Sequence, residues 1–552
     1  MPYKGSIRTV NLRIRDFTSN NYVLSRTASL AYAKLAAKFE EPASDTTESR
    51  RKDAWLQWIG NDANLRIRGL LGPNWAKARL IVHDVLSSFK MGPLTFTNGS
   101  SFEPLGNKTS IACKLSGSWT ITADCFETFA YLAYRHKALK HSVKKRFTGY
   151  CKIHNYNEPM FNKFLWKRFK HHSDAAYQIF CFKLHCSLTY VYGNRWSTVP
   201  KNNLKDRSIC LEPFCNMLVQ RALGLGIRTC LHDKLGIDLD FLADVHRNLI
   251  SNSSVATIDL SNCSDTISMD LVRYLIPSRV FKRILACRSD MTLGPDDEFY
   301  FINKVSSMGN GFTFDLMSLI LTALTKVHDP VGSVYGDDIV CHNHVADSVV
   351  QDLVLAGFVV NVDKTLIRSD YRESCGSHYL DGYGYLTVFD LRWLKSPHDL
   401  IVACNKVAIL SNIYGEPFTT LQNEIWSCVP QPLLGAATQR HVAHKSGPPS
   451  YDLSLFIRYG PTVQVDPTKS KLKAIRGFCR RTQKRGNISV ALAFESRLSP
   501  ASSSLLSKQW DVFYQYIQSA RLTAKYKHVV VKPTLVARVG EEQIGLVYAL
   551  SS

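Results

Sequence analysis

A pair of adjacent aspartates within an apolar stretch is the feature that most constrains the fold of this chain. Residues 331–342 read VGSVYGDDIVCH, so Gly336 and the two aspartates separate two short β-favouring runs. Glycine at the first central position of a two-residue loop is typical of a type II′ β-hairpin. We therefore predict a tight hairpin that holds Asp337 and Asp338 next to each other at its tip.

Two neighbouring carboxylates repel each other unless a positive charge lies close to both. A hard divalent cation such as Mg²⁺ would offset this repulsion, because it binds oxygen ligands and typically takes one or two protein carboxylates plus substrate phosphates. A solvated surface turn explains the same residues, since Gly and Asp are ordinary turn residues. The hairpin alone leaves both explanations open.

The charge of the chain points to a polyanionic partner. The 552 residues carry a formal net charge of +22, and the isoelectric point is about 9.3. Such a surplus suits nucleic acid or an acidic membrane surface, and we favour nucleic acid because no long basic amphipathic helix stands out. The 45% hydrophobic and 21% charged residues are typical of a globular protein. A chain of this length is expected to form several domains or subdomains.

The sequence indicates no disulfide bonds, no zinc site and no membrane-spanning segment. The fifteen cysteines are odd in number and irregularly spaced, without a CxxC pair. This pattern predicts free thiols in a reducing cytosol and disfavours a zinc site. The amino-terminal segment lacks the apolar region of a signal peptide, and no stretch approaches the roughly 18 apolar residues of a membrane span.

A third carboxylate follows a predicted buried strand. Residues 255–258 read VATI, so Asp259 lies at the carboxyl end of that strand, where catalytic residues commonly occur in sheets covered by helices. Asp265 follows six residues later. It stands with Ser264 where a helix through Ile267 and Leu271 would begin, so it is either a capping aspartate or a ligand-contacting group.

The order of predicted elements approximates the β-α-β-β-α-β pattern of the split βαβ fold. That fold would bring the strand ends bearing Asp259 and Asp337 side by side in an antiparallel sheet. Three carboxylates there are what phosphoryl transfer with two Mg²⁺ ions about 4 Å apart requires. The predicted elements are a strand at 255–260, a helix at 312–327, a hairpin at 333–342, a helix at 345–356 and a strand at 358–362.

Two further segments have the residues of a nucleotide site. Residues 198–213 form a predicted loop or short ribbon whose cations Lys201, Lys205 and Arg207 could hold a triphosphate. Gly309 and Asn310 belong to a Gly-Asn-Gly loop before a helix, which we expect to be flexible and to expose backbone N–H groups to a sugar, base or phosphate.

Two chemical roles then follow for polar residues around these carboxylates. Asp265 and Asn310 could sense a ribose 2′-hydroxyl, because telling RNA from DNA precursors takes polar groups at that position. Lys364 could protonate a pyrophosphate leaving group as a general acid.

Basic residues alternate with aromatic ones at 161–172, FNKFLWKRFKHH. Interleaving of this kind suits single-stranded nucleic acid, because cations follow phosphates while rings stack on bases. We favour an amphipathic helix with its aromatic side in the core and its basic side in water, where that side could still contact RNA. A second basic segment at 469–485 is either a solvated surface or a nucleic-acid contact.

Five segments, taken together, resemble the catalytic motifs of RNA-dependent RNA polymerases. The closest resemblance is to the replicase β subunit of leviviruses, the small positive-strand RNA bacteriophages, and the recognisable motifs run from about residue 198 to 390. In chain order the segments are PKNNLKDRSICLEP, DLSNCSDTIS, SSMGNGFTF, VYGDDIV and RESCGSHY.

The resemblance implies a right-hand polymerase fold of the α+β class, with a ferredoxin-like or RRM-like antiparallel palm sheet flanked by helices. It assigns 1–252 to an amino-terminal region and fingers, including a nucleotide-entry segment at 198–213. It assigns 253–390 to the palm, with a fingers insertion at about 273–304, and 391–552 to the thumb and a basic carboxyl-terminal region.

The same resemblance implies roles for individual residues. Asp259, Asp337 and Asp338 would be catalytic and bind two Mg²⁺ ions, with Mn²⁺ as a substitute, and Lys364 would be the general acid. The nucleotide-binding positions would be Lys201, Lys205, Arg207, Asp265, Ser307, Gly309 and Asn310.

The partners implied by the resemblance are RNA template and product, ribonucleoside triphosphates and the host elongation factors Tu and Ts. In some members a ribosomal protein and an RNA-chaperone factor join them. The expected setting is the cytoplasm of an infected bacterium, with unprimed initiation at the template 3′ end. No membrane is expected.

Two alternatives remain, a reverse transcriptase and an RNA-binding replication scaffold without catalysis. Gly336, which is not bulky, precedes the paired aspartates, and together with Asp265 and Asn310 it favours RNA synthesis. The intact carboxylates Asp259, Asp337 and Asp338 disfavour the scaffold.

Overall fold

The computed structural model describes residues 3–39, 47–68, 72–96, 100–103, 111–201, 205–394 and 397–427. The basic segment predicted at 469–485 lies outside these residues. The α-helices are α1 Tyr3–Ser19, α2 Arg26–Ala36, α3 Thr47–Ala63, α4 Pro73–Val85, α5 Ile111–Ser116, α6 Phe126–Arg135, α7 Lys137–Ile153, α8 Glu158–Phe169, α9 Ala175–His185, α10 Phe214–Leu235, α11 Leu242–Leu249, α12 Met269–Leu275, α13 Ser278–Cys287, α14 Thr313–Lys326, α15 Ala346–Leu355, α16 Pro397–Tyr414 and α17 Phe418–Ser427.

Short strands connect these helices, and 3₁₀ turns lie at Leu86–Ser88, Ala123–Cys125, Cys263–Asp265 and Val362–Lys364. The strands are β1 Trp119–Ile121, β2 Leu188–Tyr190, β3 Gly193–Pro200, β4 Asp206–Leu211, β5 Val255–Ile258, β6 Leu260–Ser261, β7 Met291–Leu293, β8 Phe299–Phe301, β9 Ser333–Tyr335, β10 Asp338–His342, β11 Val359–Val360, β12 Tyr371–Ser374, β13 Ser377–Leu380 and β14 Gly384–Tyr385.

The chain divides into two compact units. The first contains residues 1–47, 200–205 and 378–552, and the second contains 48–199 and 206–377. In the first unit, Phe17 of α1 packs 5.9 Å from Phe418 of α17, measured between ring centroids. The predicted division at residues 252 and 390 stays a prediction.

The second unit is built around one large apolar core. Helix α10 contributes one side, with Leu218, Val219 and Leu223 fully or almost fully buried, and α14 contributes another, with Leu316 and Ile320. Because both helices bury most of their circumference, neither needs a clear polar stripe, as expected for helices in the centre of a domain.

The predicted split βαβ order is confirmed in this unit. Strand β10 pairs antiparallel with both β5 and β9, and β11 pairs antiparallel with β6. Strands β5 and β6 are successive parts of one extended segment interrupted at Asp259. The spatial order of the four sequential strands is therefore fourth, first, third, second, with α14 and α15 as the two connecting helices.

Two boundaries differ from the sequence prediction. The strand predicted to 362 ends at Val360, because the backbone then folds into the 3₁₀ turn Val362–Lys364. The helix after Asp259 does not begin at Asp265 but at Met269, where the Ser268 hydroxyl accepts a hydrogen bond of 3.1 Å from the backbone N–H of Leu271. The capping role considered for Asp265 is therefore wrong, since Ser268 fills it.

Other features of the described residues also bear on the sequence predictions. The segment predicted at 198–213 as a loop or short ribbon includes the end of β3 and all of β4, which are neighbours in one sheet. Cysteines in the described residues, such as Cys215 and Cys263, are free and mostly buried. In the part of the chain that the structure describes, no helix has the length and apolarity needed to cross a membrane.

Candidate active site

The paired aspartates lie at the tip of the predicted hairpin. Tyr335 pairs with Asp338, so Gly336 and Asp337 form a two-residue loop. Of these two residues only Gly336 has a positive φ, +62°, as the first position of a type II′ turn requires. A Cβ atom at Gly336 would lie 2.7 Å from the ring of Phe314, so helix α14 also leaves room only for glycine.

The sheet register brings the third carboxylate to the same place. Ile339 pairs with Ile258, so one step further along the antiparallel ladder Asp338 faces Asp259. The Asn361 amide donates a hydrogen bond of 2.6 Å to Asp259 Oδ2, and Lys364 Nζ lies 3.7 Å from the same oxygen. The turn at Val362–Lys364 thus orients Asp259.

The carboxylates influence one another strongly. Burial, followed by the charges of Asp337 and Asp259, raises the pKa of Asp338 to about 6. Loss of hydration and the negative charge of Asp259 raise the pKa of the Asp337 carboxyl. The positive charges of Lys364 and Arg207 act to lower it. The backbone N–H of Cys375 donates a hydrogen bond of 3.2 Å to Asp338 Oδ2. These nearby donors and cations only partly offset the negative charge.

The donor set suits a hard divalent cation. All three side chains offer carboxylate oxygens, the ligands that Mg²⁺ prefers, and their mutual repulsion is what a cation would relieve. Within the described residues, no group of three or more His, Cys, Asp and Glu side chains is arranged to hold a metal ion. The set Asp259, Asp337 and Asp338 therefore stays a prediction, and two carboxylates with substrate phosphates would suffice for Mg²⁺.

Asp265 is held by two residues that the sequence did not single out. The indole N–H of Trp58 donates a hydrogen bond of 3.2 Å to Asp265 Oδ1, and Lys304 Nζ lies 3.7 Å from the same oxygen. Lys304 is fully buried, and its ammonium lies 3.8 Å from the centre of a Trp58 ring. Burial raises the pKa of Asp265, and Lys304 is the largest opposing influence. No sequence motif marks Trp58.

The Gly-Asn-Gly loop, which the sequence predicts to be flexible, makes several hydrogen bonds. Met308 accepts a backbone hydrogen bond of 2.8 Å from Cys210 of β4. The Asn310 side chain is buried and accepts a hydrogen bond of 3.0 Å from the backbone of Phe312. The Ser307 carbonyl accepts a hydrogen bond from Asn310 N–H at 3.1 Å. These contacts hold the loop next to Asp265, whose pKa is raised by burial and lowered in part by the Ser307 side chain.

We expect Gly309→Ala to lower the free energy of unfolding by about 3 kcal/mol. Gly309 has a φ of +108°, and an added Cβ would meet the Cys210 carbonyl oxygen at 2.2 Å. Urea denaturation followed by circular dichroism measures the loss. The matched variant is Gly236→Ala, which has a φ of +67° but no heavy atom within 4 Å of its Cβ. Equal losses in the two variants would contradict the packing of Gly309 against β4.

The basic residues predicted to bind a triphosphate lie on β4 or next to the ends of β3 and β4. Arg207 is exposed on β4, and its positive charge acts to lower the pKa of Asp337, so it lies near the carboxylates; its role in binding a triphosphate stays a prediction. Lys201 and Lys205 face each other through a backbone hydrogen bond of 3.0 Å and belong to the first compact unit. Residues 202–204 between them lie outside the described residues. A role for these two lysines beside the carboxylates stays a prediction.

Known relatives support the motif-based resemblance. The sequence is 38% identical over 246 residues to the RNA-directed RNA polymerase subunit beta of Qbeta virus (strain MX1), covering 43% of this chain and 42% of that protein. It is 31% identical over 406 residues to the RNA-directed RNA polymerase beta chain of Escherichia phage MS2, covering 70% of this chain and 63% of that protein. The chain thus aligns with less than two thirds of either relative's length.

Solved structures show weaker similarity. The RNA-dependent RNA polymerase of bacteriophage phi12 has 12% identity and a TM-score of 0.39, with 76% of each chain covered. That of a human picobirnavirus has 13% identity and a TM-score of 0.31, with 43% of this chain and 55% of that chain covered.

The family match covers most of the described chain. The family described as RNA replicase, beta-chain, matches residues 76–432. This range contains every predicted site residue, from Lys201 to Lys364, and the strand order of the predicted palm. The predicted right-hand polymerase fold of the α+β class is thereby confirmed, and the chain belongs to the RNA replicase β-chain family.

Proposed function

We propose that this chain is an RNA-directed RNA polymerase that replicates a single-stranded RNA phage genome by joining ribonucleotides on an RNA template. The observation that carries the proposal is the approach of Asp259 to Asp338 across the sheet, with Asp337 next to them at the hairpin tip. The Qbeta virus and MS2 relatives, which are RNA-directed RNA polymerase chains, support the same activity.

Asp259, Asp337 and Asp338 would hold two Mg²⁺ ions, for which Mn²⁺ could substitute. When bound, such ions stabilise the attacking and leaving oxygens of an in-line phosphoryl transfer. The contribution of the chain itself is to present the carboxylates on two rigid strands, so that the site is formed before substrate arrives. The hydrogen bond from Asn361 fixes the side chain of Asp259 for this task.

The surrounding residues would bind the nucleotide and donate a proton to its pyrophosphate leaving group. Arg207, with Lys201 and Lys205, would neutralise the triphosphate. Lys364 is half-exposed near Asp259, a position from which it could donate a proton to the pyrophosphate. Asp265 and Asn310 would recognise the ribose 2′-hydroxyl, with Ser307 and Gly309 next to them.

We expect Mg²⁺ to raise the melting temperature more at pH 7.5 than at pH 5. The pKa of Asp338 is raised to about 6, so in the metal-free protein its stabilising contribution is present at acidic pH and lost as pH rises through 6. Above that pH the ionised carboxylate is free to bind a cation, which stabilises the folded state. Thermal melts with and without MgCl₂ measure the difference.

The control for this measurement is the exposed carboxylate of Asp270, which lies 3.5 Å from Arg273. Asp270→Asn should keep the pH-dependent Mg²⁺ effect, and Asp338→Asn should reduce it. An undiminished effect in Asp338→Asn would contradict the assignment of Asp338 as a ligand.

The proposed partners are RNA template and product, ribonucleoside triphosphates, host elongation factors Tu and Ts, and a ribosomal protein. The proposed setting is the cytoplasm of the infected bacterium, with unprimed initiation at the template 3′ end. Support for the host factors, the setting and the mode of initiation comes from family membership alone.

The decisive assay is ribonucleotide incorporation on an unprimed RNA ending in 3′-CCA, by the purified chain with and without host-cell lysate. Synthesis that depends on lysate supports borrowed host subunits, whereas synthesis by the chain alone removes that requirement. RNA binding without synthesis in either case would favour a replication scaffold. Efficient use of deoxyribonucleotides would favour a reverse transcriptase.

A further inference from the structure

Helix α8 exposes aromatic side chains although one of its faces is already buried. Leu165 is buried on α8, in a small core that includes Phe147 and Cys151 of α7. Phe164 and Trp166, each about 100° around the helix from Leu165 and on either side of it, are 58% and 56% exposed. The expected amphipathic helix is therefore confirmed only in part, because two of its aromatic side chains face water.

Basic side chains lie between these exposed rings. Positions 160, 163, 164 and 167 form one stripe of a helix, and 166 and 170 lie along its edge. The exposed basic side chains are those of Lys163, Lys167, Arg168 and Lys170. In the part of the chain that the structure describes, none of these four cations forms an ion pair.

This arrangement is unfavourable for the isolated helix. Lys163 and Lys167 are like charges four residues apart, which destabilises a helix by a few tenths of a kcal/mol. Both rings stay more than half exposed. Phe164 stacks on Phe161 at 6.2 Å between ring centroids, whereas Trp166 has no aromatic neighbour within the described residues. A partner that neutralises the cations and covers the rings would remove both disadvantages.

The chemistry of the surface favours RNA over a protein partner. Lysine is depleted in protein–protein interfaces, whereas single-stranded nucleic acid is bound by cations that follow phosphates and rings that stack on bases. Base stacking on side chains needs unpaired bases, which favours a single strand over a duplex. The net charge of +22 is consistent with a polyanion.

We propose that this surface, the α8 RNA face, is a binding site for single-stranded RNA separate from the carboxylate site. Phe164 and Trp166 stack on bases, and the lysines contact phosphates. From residue 160 to 170 the face is about 15 Å long. Binding here does not depend on polymerase activity, because no carboxylate of the candidate active site takes part. The α8 RNA face consists of Met160, Lys163, Phe164, Trp166, Lys167 and Lys170.

The test measures binding of a fluorescein-labelled 12-nucleotide single-stranded RNA to the full chain by anisotropy, without nucleotides or divalent ions. The double variant Phe164→Ala/Trp166→Ala should weaken binding at least about tenfold. Lys163→Ala/Lys167→Ala should reduce the slope of log affinity against log salt concentration by about 1.4, or 0.7 for each lost phosphate contact. A 12-base-pair duplex should be much less sensitive to loss of the rings.

A crosslinking experiment separates this site from any other RNA site on the chain. RNA containing 4-thiouridine should crosslink, on irradiation, to the tryptic peptide of residues 164–167. The crosslink should persist in Asp337→Asn, so the α8 RNA face can be established even if the proposed polymerase activity fails.

Matched controls come from exposed residues elsewhere in the second unit. Phe301→Ala removes a ring that is 77% exposed, and Lys77→Ala/Lys90→Ala removes two exposed positive charges. Both should bind the single strand more tightly than the α8 variants. Wild-type affinity and salt slope in the α8 variants, without a crosslink to α8, would overturn the proposal, as expected if a protein docks there instead.

Discussion

Replacing Asp337 by asparagine should lower ribonucleotide incorporation by on the order of 10³-fold. The side chain lies at the second position of the hairpin loop and outside the apolar core, so an isosteric amide keeps the fold. What it loses is the negative charge next to Asp338 and Asp259. The measurement is incorporation of labelled ribonucleotide on an RNA template with Mg²⁺, alongside RNA binding by anisotropy.

The control for Asp337→Asn is Asp270→Asn, which removes an exposed carboxylate of α12. It should leave both synthesis and RNA binding unchanged. Asp337→Asn should retain RNA binding while losing synthesis, since a carboxylate does not attract a phosphate backbone. Unimpaired synthesis by Asp337→Asn would rule out an essential role for this carboxylate, and lost RNA binding would point to misfolding instead.

Replacing Lys304 by methionine should lower the free energy of unfolding by about 3–5 kcal/mol, because it leaves the charge of Asp265 buried without its cation. Lys304 is fully buried, and its ammonium also donates a hydrogen bond of 3.3 Å to the Trp58 carbonyl. The double variant Lys304→Met/Asp265→Asn should recover part of the loss, since no charge then remains to be paired. Urea denaturation of the wild type, Lys304→Met, Asp265→Asn and the double variant measures this coupling.

A milder change tests whether the same contacts position Asp265 for its proposed role. Trp58→Phe keeps an aromatic ring beside Lys304 but removes the indole N–H that binds Asp265 Oδ1. If Asp265 recognises the ribose, this variant should lose part of its preference for ribonucleotides over deoxyribonucleotides. Unchanged preference, with unfolding close to wild type, would restrict Trp58 to a structural role.

Local sequence patterns were sufficient to predict the hairpin that bears Asp337 and Asp338. Gly336 between two β-favouring runs predicts a two-residue turn, and the structure has that turn with the required positive φ. Asp259 could also be placed at the end of a strand, because the short apolar run before it is typical of a buried strand. The α-helices at 313–326 and 346–355 were also predicted closely, because their apolar patterns are long.

The surroundings of Asp265 could not be predicted in this way. Two candidate caps, Asp265 and Ser268, precede the same helix, and only the path of the backbone selects Ser268. Trp58 and Lys304 are separated by 246 residues, and no local pattern reports a contact over that distance. Similarly, periodicity predicted an amphipathic α8, but packing against the small core decided that Phe164 and Trp166 would remain exposed.

The sequence by itself determined the turn at Gly336, the strand ending at Asp259, the basic character of the chain and its family. These features depend on local backbone preferences and on composition, both of which can be taken directly from the sequence. Only the tertiary structure decided that Asp338 faces Asp259, that Asn361 and Lys304 hold the acidic groups, and that α8 presents rings and lysines to solvent. Such contacts depend on which distant segments pack together, because a buried charge is stable only where a partner from elsewhere in the chain reaches it.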